Sequence, residues 1–229
     1  MSPPSSEIEA RYEARREAAS AVVIAGAVMG LLAFFSWRHK WELVELGWWI
    51  WIVLAVPGLL LCADLWLGAR RVGFAGTRTA SLVLLGVIVL GNLIGVGLLV
   101  GALVSTNSDD LGGGQLLLTA ASIWVANVIV FGLCYWDLDD GGPFERANHE
   151  RRRPDFQFPQ DENPNLAPPE WRPAVWDYLF ISLTSATAFS PTDAMPLTSK
   201  AKLLLGVESV VSLVLIVLVT ARAVNVLGS

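Results

Sequence analysis

A glutamate sits inside one of the most apolar stretches of this chain: Glu208, within LLLGVESVVS. A carboxyl in such surroundings is either protonated or partnered, because an isolated charge is costly to hold away from water. Such a group carries protons, binds cations, or bonds one helix to another. Ser212 lies four positions on and shares its helix face, whereas Val210, Val214, Val217 and Ala221 make the opposite face apolar. Glu208 is therefore expected to face protein. Asn92 and Asn127 occupy the middle of two further apolar runs. Interhelical hydrogen bonding is their simplest role, at about 0.6 kcal/mol per contact. A third group gathers hydroxyls: Ser182, Thr184, Ser185, Thr187, Ser190 and Thr192, closed by Asp193. From Thr184 onward these residues are candidates for a pore loop, in which oxygens replace part of an ion's hydration shell. A water-lined cavity and a plain helix–loop–helix turn both accommodate them.

Other chemistry has less support. There is no Gly-rich phosphate loop and no GxGxxG, and His39 and His149 are isolated. Asp137, Asp139 and Asp140 in WDLDDGG resemble part of a cation loop, but the downstream acid is missing, and a solvated acidic turn is the simpler reading. Cys62 and Cys134 lie near the ends of apolar runs, with no disulfide or metal spacing, and read as small apolar groups. No enzymatic activity, cofactor or metal is expected. A net charge of −5 argues against a nucleic-acid partner, which requires a clustered positive surface.

The elements that must position these groups follow from composition. Of the 229 residues 54% are hydrophobic and 16% charged, with a mean hydropathy of +0.53. Soluble domains carry roughly 25% charge. The apolar residues form runs long enough to cross a hydrocarbon core about 30 Å thick, which takes about 20 helical residues. Residues 1–17 are a polar tail, with no cleavable signal peptide expected. Residues 18–136 hold four spans, at about 18–36, 46–67, 79–104 and 116–136. Pro57 is expected to kink the second. In the third, Gly91–Gly95 and Gly97–Gly101 have the small-xxx-small spacing that lets helices approach closely. Residues 137–172 form a polar, proline-rich loop. Residues 173–229 contain a short apolar piece at 176–190 and a last span at 201–226. Fifteen helical residues reach only about 22 Å, which favours re-entry over crossing without excluding either. The expected fold is an all-α membrane protein, with five spanning helices and a short re-entrant one. Eight of the ten tryptophans fall near span ends, as an interfacial belt requires.

Arginine and lysine set orientation. The tail, the second link and the long loop carry eleven, from Arg11 to Arg172; Arg38 and Lys40 are alone on the other side. This places the N terminus and the 137–172 loop in the cytoplasm of a multi-pass cell-membrane protein. Arginine outnumbers lysine 13 to 3, a bias common in GC-rich bacterial genomes.

From Trp176 to Leu227 the chain resembles a potassium-channel pore module, which runs pore helix, TTVGYGD filter, proline-containing link and inner helix. Thr187, Asp193, Pro196 and Thr198 match that pattern. Ser190, Pro191 and Thr192 stand where the filter has glycine, tyrosine and glycine, so the carbonyl filter is not reproduced. The layout of DYLF, TSATAFSPTD, MPL and ARAVN also resembles a family of bacterial multi-pass membrane proteins widespread in actinobacteria, to which no activity is attached. Two functions follow as expectations. One is a pore-like or transport-related protein handling monovalent ions, homo-oligomeric and tetrameric if it forms a pore. The other is a non-conducting accessory protein whose glycine-lined bundle binds a partner or membrane lipid.

Overall fold

The computed structural model describes residues 23–40, 48–56, 78–104, 113–142, 146, 154–163, 165, 167–168, 171–188, 190 and 193–227. Most of them are helical. Helical residues 23–39 form α1 and helical residues 49–56 form α2. They are followed by α3 (Arg78–Val104), α4 (Gly113–Leu138), the one-turn α5 (Pro159–Glu162), α6 (Val175–Ala188) and α7 (Ser199–Leu227). Two two-residue strands, β1 (Phe156–Gln157) and β2 (Met195–Pro196), pair antiparallel, with Phe156 opposite Pro196 and Gln157 opposite Met195. The polar tail, Pro57 and Cys62 lie outside the described residues.

Two helical segments, Leu117–Gly141 and Ser199–Ala221, are long and apolar enough to cross a membrane. Shorter apolar helices cover Val23–His39 and Gly86–Gly101. The two long segments differ in surroundings. The α4 segment is mostly enclosed, while α7 buries a single stripe of Ala201, Leu205, Glu208, Ser212 and Leu215. That stripe follows the i, i+4, i+7 spacing of one helix face. Its other sides expose Leu203, Val210, Val217 and Val224.

Local chemistry explains where the C-terminal elements begin and end. α4 stops at DLDDGG, where Asp140, Gly141 and Gly142 take φ of 48°, 86° and 97°. Glycine adopts this left-handed backbone without penalty. Asp177 sits in the first turn of α6 and accepts the Ala174 backbone N–H at 2.7 Å, satisfying one of the donors a helix start leaves free. Thr198 caps α7 by accepting the Ala201 N–H at 3.3 Å.

The pairings set helix direction. Leu179 meets α4 at Gly132 and Ser182 meets it at Val128, so α6 runs antiparallel to α4. Tyr135 meets Glu208 and Asn127 meets Ser212, so α7 does the same. Both α6 and α7 thus start at the Asp139 end of α4 and run away from it. The fourteen residues of α6 carry the chain about 21 Å. By Met195 it is back beside Gln157, at the end where α6 began. From Ala188 to Met195 an extended chain reaches about 23–25 Å, enough for that return. The start of α6 and the strand β2 therefore both lie at the Asp139 end of α4.

Two apolar clusters fill the interior. One joins α4, α6, α7 and the loop through Phe131, Tyr135, Phe156, Phe158, Tyr178 and Ile181. The other joins α1, α2, α3 and α4 through Leu32, Trp51, Val96, Leu99 and Ile123.

Candidate functional site

Glu208 lies where α4, α6 and α7 meet, and no part of it is exposed. From α4, the Tyr135 hydroxyl donates to Oε2 at 2.5 Å. From α6, Ser182 Oγ contacts Oε1. The same Ser182 Oγ lies 2.7 Å from the Val128 carbonyl oxygen. Farther along, Ser185 and Ser209 share a hydrogen bond at 3.0 Å. Farther still, Asn92 Nδ2 donates to Asn127 Oδ1 at 2.7 Å, and Asn127 Nδ2 donates to Ser212 Oγ at 3.3 Å. Polar bonds thus run along the seam between the helices. Tyr178, Ser182 and Ser185 line the α6 side, Asn127 and Tyr135 the α4 side. Tyr135, Ser182, Ser185, Asn127 and Ser212 are all buried.

The remaining sequence candidates are placed differently. Thr184 and Thr187 bond back to carbonyl oxygens of their own helix, those of Phe180 and Ile181 and those of Leu183 and Thr184 respectively. Ser190 and Asp193 are exposed, and Thr192 lies outside the described residues. Asn92 also borders an apolar cavity of about 60 Å³ between α1, α2, α3 and α4. Of the four glycines singled out in α3, Gly91 and Gly95 pack on Leu54, whereas a Cβ at Gly97 or Gly101 would meet nothing described within 4 Å.

A second carboxylate organises the bundle end. The sequence reads Asp139 as part of a solvated acidic turn; in the structure it is wholly buried. Its Oδ1 accepts the backbone N–H groups of Asp155 at 2.6 Å and Phe156 at 3.2 Å, and its Oδ2 accepts the Tyr178 hydroxyl at 2.5 Å. Arg146 donates to the Asp139 carbonyl oxygen at 2.6 Å and lies over the Tyr178 ring, 5.2 Å from its centre. Asp155 in turn holds Lys200 at 2.7 Å and Thr198 at 2.5 Å. The loop is thereby fastened to the starts of α6 and α7. Burial pushes the Asp177 carboxyl above its usual range; the Ala174 N–H opposes that shift, and nearby Asp193 adds to it.

Tyr135, Asp139, Tyr178 and Gly132 escape the sequence reading as site residues. Tyr135 is eight positions after Asn127, two helical turns on the same face, which is a usable signal. Gly132 is the most closely packed of the described glycines: a Cβ there would come within 2.7 Å of Leu179 Cδ2 and 3.0 Å of Leu179 Cα. Nothing in FGLCYW distinguishes it from the glycines of α3. No family model, curated protein or solved structure matches this chain.

Proposed function

We propose that this chain is a multi-pass membrane protein whose C-terminal module is a re-entrant hairpin beside a spanning helix. We further propose a transport-related role in which Glu208 handles protons or monovalent cations. The observation that carries it is the Glu208 carboxyl, fully buried where three helices meet and hydrogen-bonded by Tyr135 and Ser182. In an apolar bundle an amide or hydroxyl would join helices at lower cost. An ionisable group at bilayer depth costs at least about 2.5–3.5 kcal/mol, which makes it a functional site by default. The outward apolar face of α7 suits lipid, and α6 is too short to span. With the loop in the cytoplasm, as the arginine count has it, the hairpin enters from that side.

The test is flux of H⁺, K⁺, Na⁺ and Cl⁻ into liposomes holding the purified protein. Flux in the wild type and its loss in a folded Glu208→Gln variant support the role. No flux under any gradient removes it.

A second reading, a non-conducting accessory protein, has its own support. The seam is closed, and Thr184 and Thr187 satisfy their hydroxyls within α6. A pore made of one hairpin per chain needs several copies around an axis, commonly four, so a monomer in detergent favours the accessory reading. Orientation is tested separately. Impermeant labelling of Asn148→Cys but not Ser108→Cys outside intact cells reverses it.

A further inference from the structure

The two contacts of Ser182 at Glu208 need one more proton than its hydroxyl supplies. Tyr135 O–H serves Oε2. Ser182 Oγ contacts both Oε1 and the Val128 carbonyl oxygen, yet it carries a single proton. Were Glu208 a carboxylate, one of these contacts would set two oxygens together with nothing between them. At 2.7 Å from the Val128 carbonyl, that arrangement is repulsive. A proton on Oε1 resolves it. Glu208 then donates to Ser182 Oγ, Ser182 donates to the Val128 carbonyl, and Tyr135 donates to Oε2. Ser182, the Val128 carbonyl and Tyr135 are then all satisfied, Ser185 adds a further hydroxyl beside the carboxyl, and the site is neutral. The titratable groups described around it are Tyr135 and the buried Cys134 thiol of α4.

Phe156 packs on a tyrosine from this site and on one from the bundle end. Its ring centre lies 5.3 Å from that of Tyr135 and 6.2 Å from that of Tyr178. One tyrosine serves Glu208 and the other Asp139, so the Phe156 ring touches a hydrogen-bond partner of each carboxyl group. It is 1% exposed and comes from β1, which pairs with the returning arm of the hairpin. Asp139 holds the Phe156 N–H, and the exposed Lys200 lies just beyond, at Asp155.

We infer that Glu208, Ser182 and Tyr135 form a closed site holding one proton, and that Phe156 is the plug between that site and the loop end of the bundle. The inference deepens the Glu208 role proposed above and rests on the same carboxyl. Infrared spectra of the purified protein in liposomes test it. A protonated-acid C=O band is expected at neutral pH in the wild type, absent from Glu208→Gln. In D₂O the isotope shift of that band is expected to develop slowly. Phe156→Ala should speed it by on the order of tenfold or more, because local opening no longer has to displace the ring. If Phe156→Ala fails to fold, Phe156→Leu keeps an apolar plug of reduced size and should speed exchange by less. Absence of the band overturns the proton site. A band that exchanges equally fast in wild type and plug variants overturns the plug. A band with slow exchange but no liposome flux leaves this site standing and removes only the transport role.

Discussion

The two halves of the bundle are held together by different chemistry. In the N-terminal half, α1, α2 and α3 meet through Leu32, Trp51, Val96 and Leu99. A side-chain bond between α1 and α2 runs from Trp51 Nε1 to Ser36 Oγ at 3.1 Å. In the C-terminal half, α4, α6, α7 and the loop share buried Asp139, Asp155, Tyr135, Tyr178, Ser182 and Glu208. In the membrane setting proposed above, apolar helices gain little by touching each other, so packing fit holds such contacts. Polar bonds add direction. They fix the fourteen-residue α6 at one height and one rotation against α4 and α7. The contrast assigns packing to the first half and specific geometry to the second.

The largest effect is expected from Asp139→Ala. It strands the buried N–H groups of Asp155 and Phe156 and the Tyr178 hydroxyl. Each buried polar group left unpaired costs about 1–3 kcal/mol. A loss of about 3 kcal/mol or more is expected in reversible unfolding in mixed micelles, with the loop becoming protease-sensitive. A change below about 1 kcal/mol would erase the contrast. Next comes Gly132→Ala, at about 1–3 kcal/mol, because Leu179 leaves no room for a Cβ. Its control is Gly97→Ala, where space is open and alanine is the better helix former, so stability should hold or rise by up to about 1 kcal/mol. Equal costs at the two glycines would mean that α4 and α6 are not in close contact.

In the N-terminal half, Trp51→Phe removes only the N–H bond to Ser36, and about 0.5–1.5 kcal/mol is expected. The smallest effect belongs to Asp177→Asn. The folded Asp177 carboxyl titrates above its ordinary range, so ionising it opposes folding. Wild type and variant should be equally stable at low pH. The variant should gain, by less than about 1 kcal/mol for this half-exposed group, as pH rises through the carboxylate range. A variant advantage that shrinks with rising pH contradicts this assignment.

The legibility of the sequence follows the same division. The runs that became α3, α4 and α7 read directly as apolar helices, because composition alone marks them. Glu208 stood out because a carboxyl among LLLGV residues has few benign explanations. Its partners were harder to see. Tyr135 and Ser182 are ordinary residues in their own helices and acquire meaning only when three helices converge. Asp139 was misread because WDLDDGG is acidic and glycine-rich, like many exposed turns; its partners lie 16, 17 and 39 residues away. The hydroxyl cluster divided by helix face: Ser182 and Ser185 turn inward, while Thr184 and Thr187 cap their own carbonyls. A count of hydroxyls does not carry that distinction, although the i, i+4, i+7 spacing from Tyr178 does.

α6 starts at the Asp139 end of α4 and Met195 lies at that same end, an arrangement that places Ser182 against Glu208. Oxidative cross-linking of a Gln157→Cys, Met195→Cys variant, with Cys62 and Cys134 replaced by alanine, tests it most directly. These residues sit opposite each other in the β1–β2 pair. A rapid intramolecular disulfide is expected, with both positions labelled by an impermeant thiol reagent from the same side of sealed vesicles when left reduced. Labelling from opposite sides, with no disulfide, would mean that 176–190 crosses the membrane and would contradict the account.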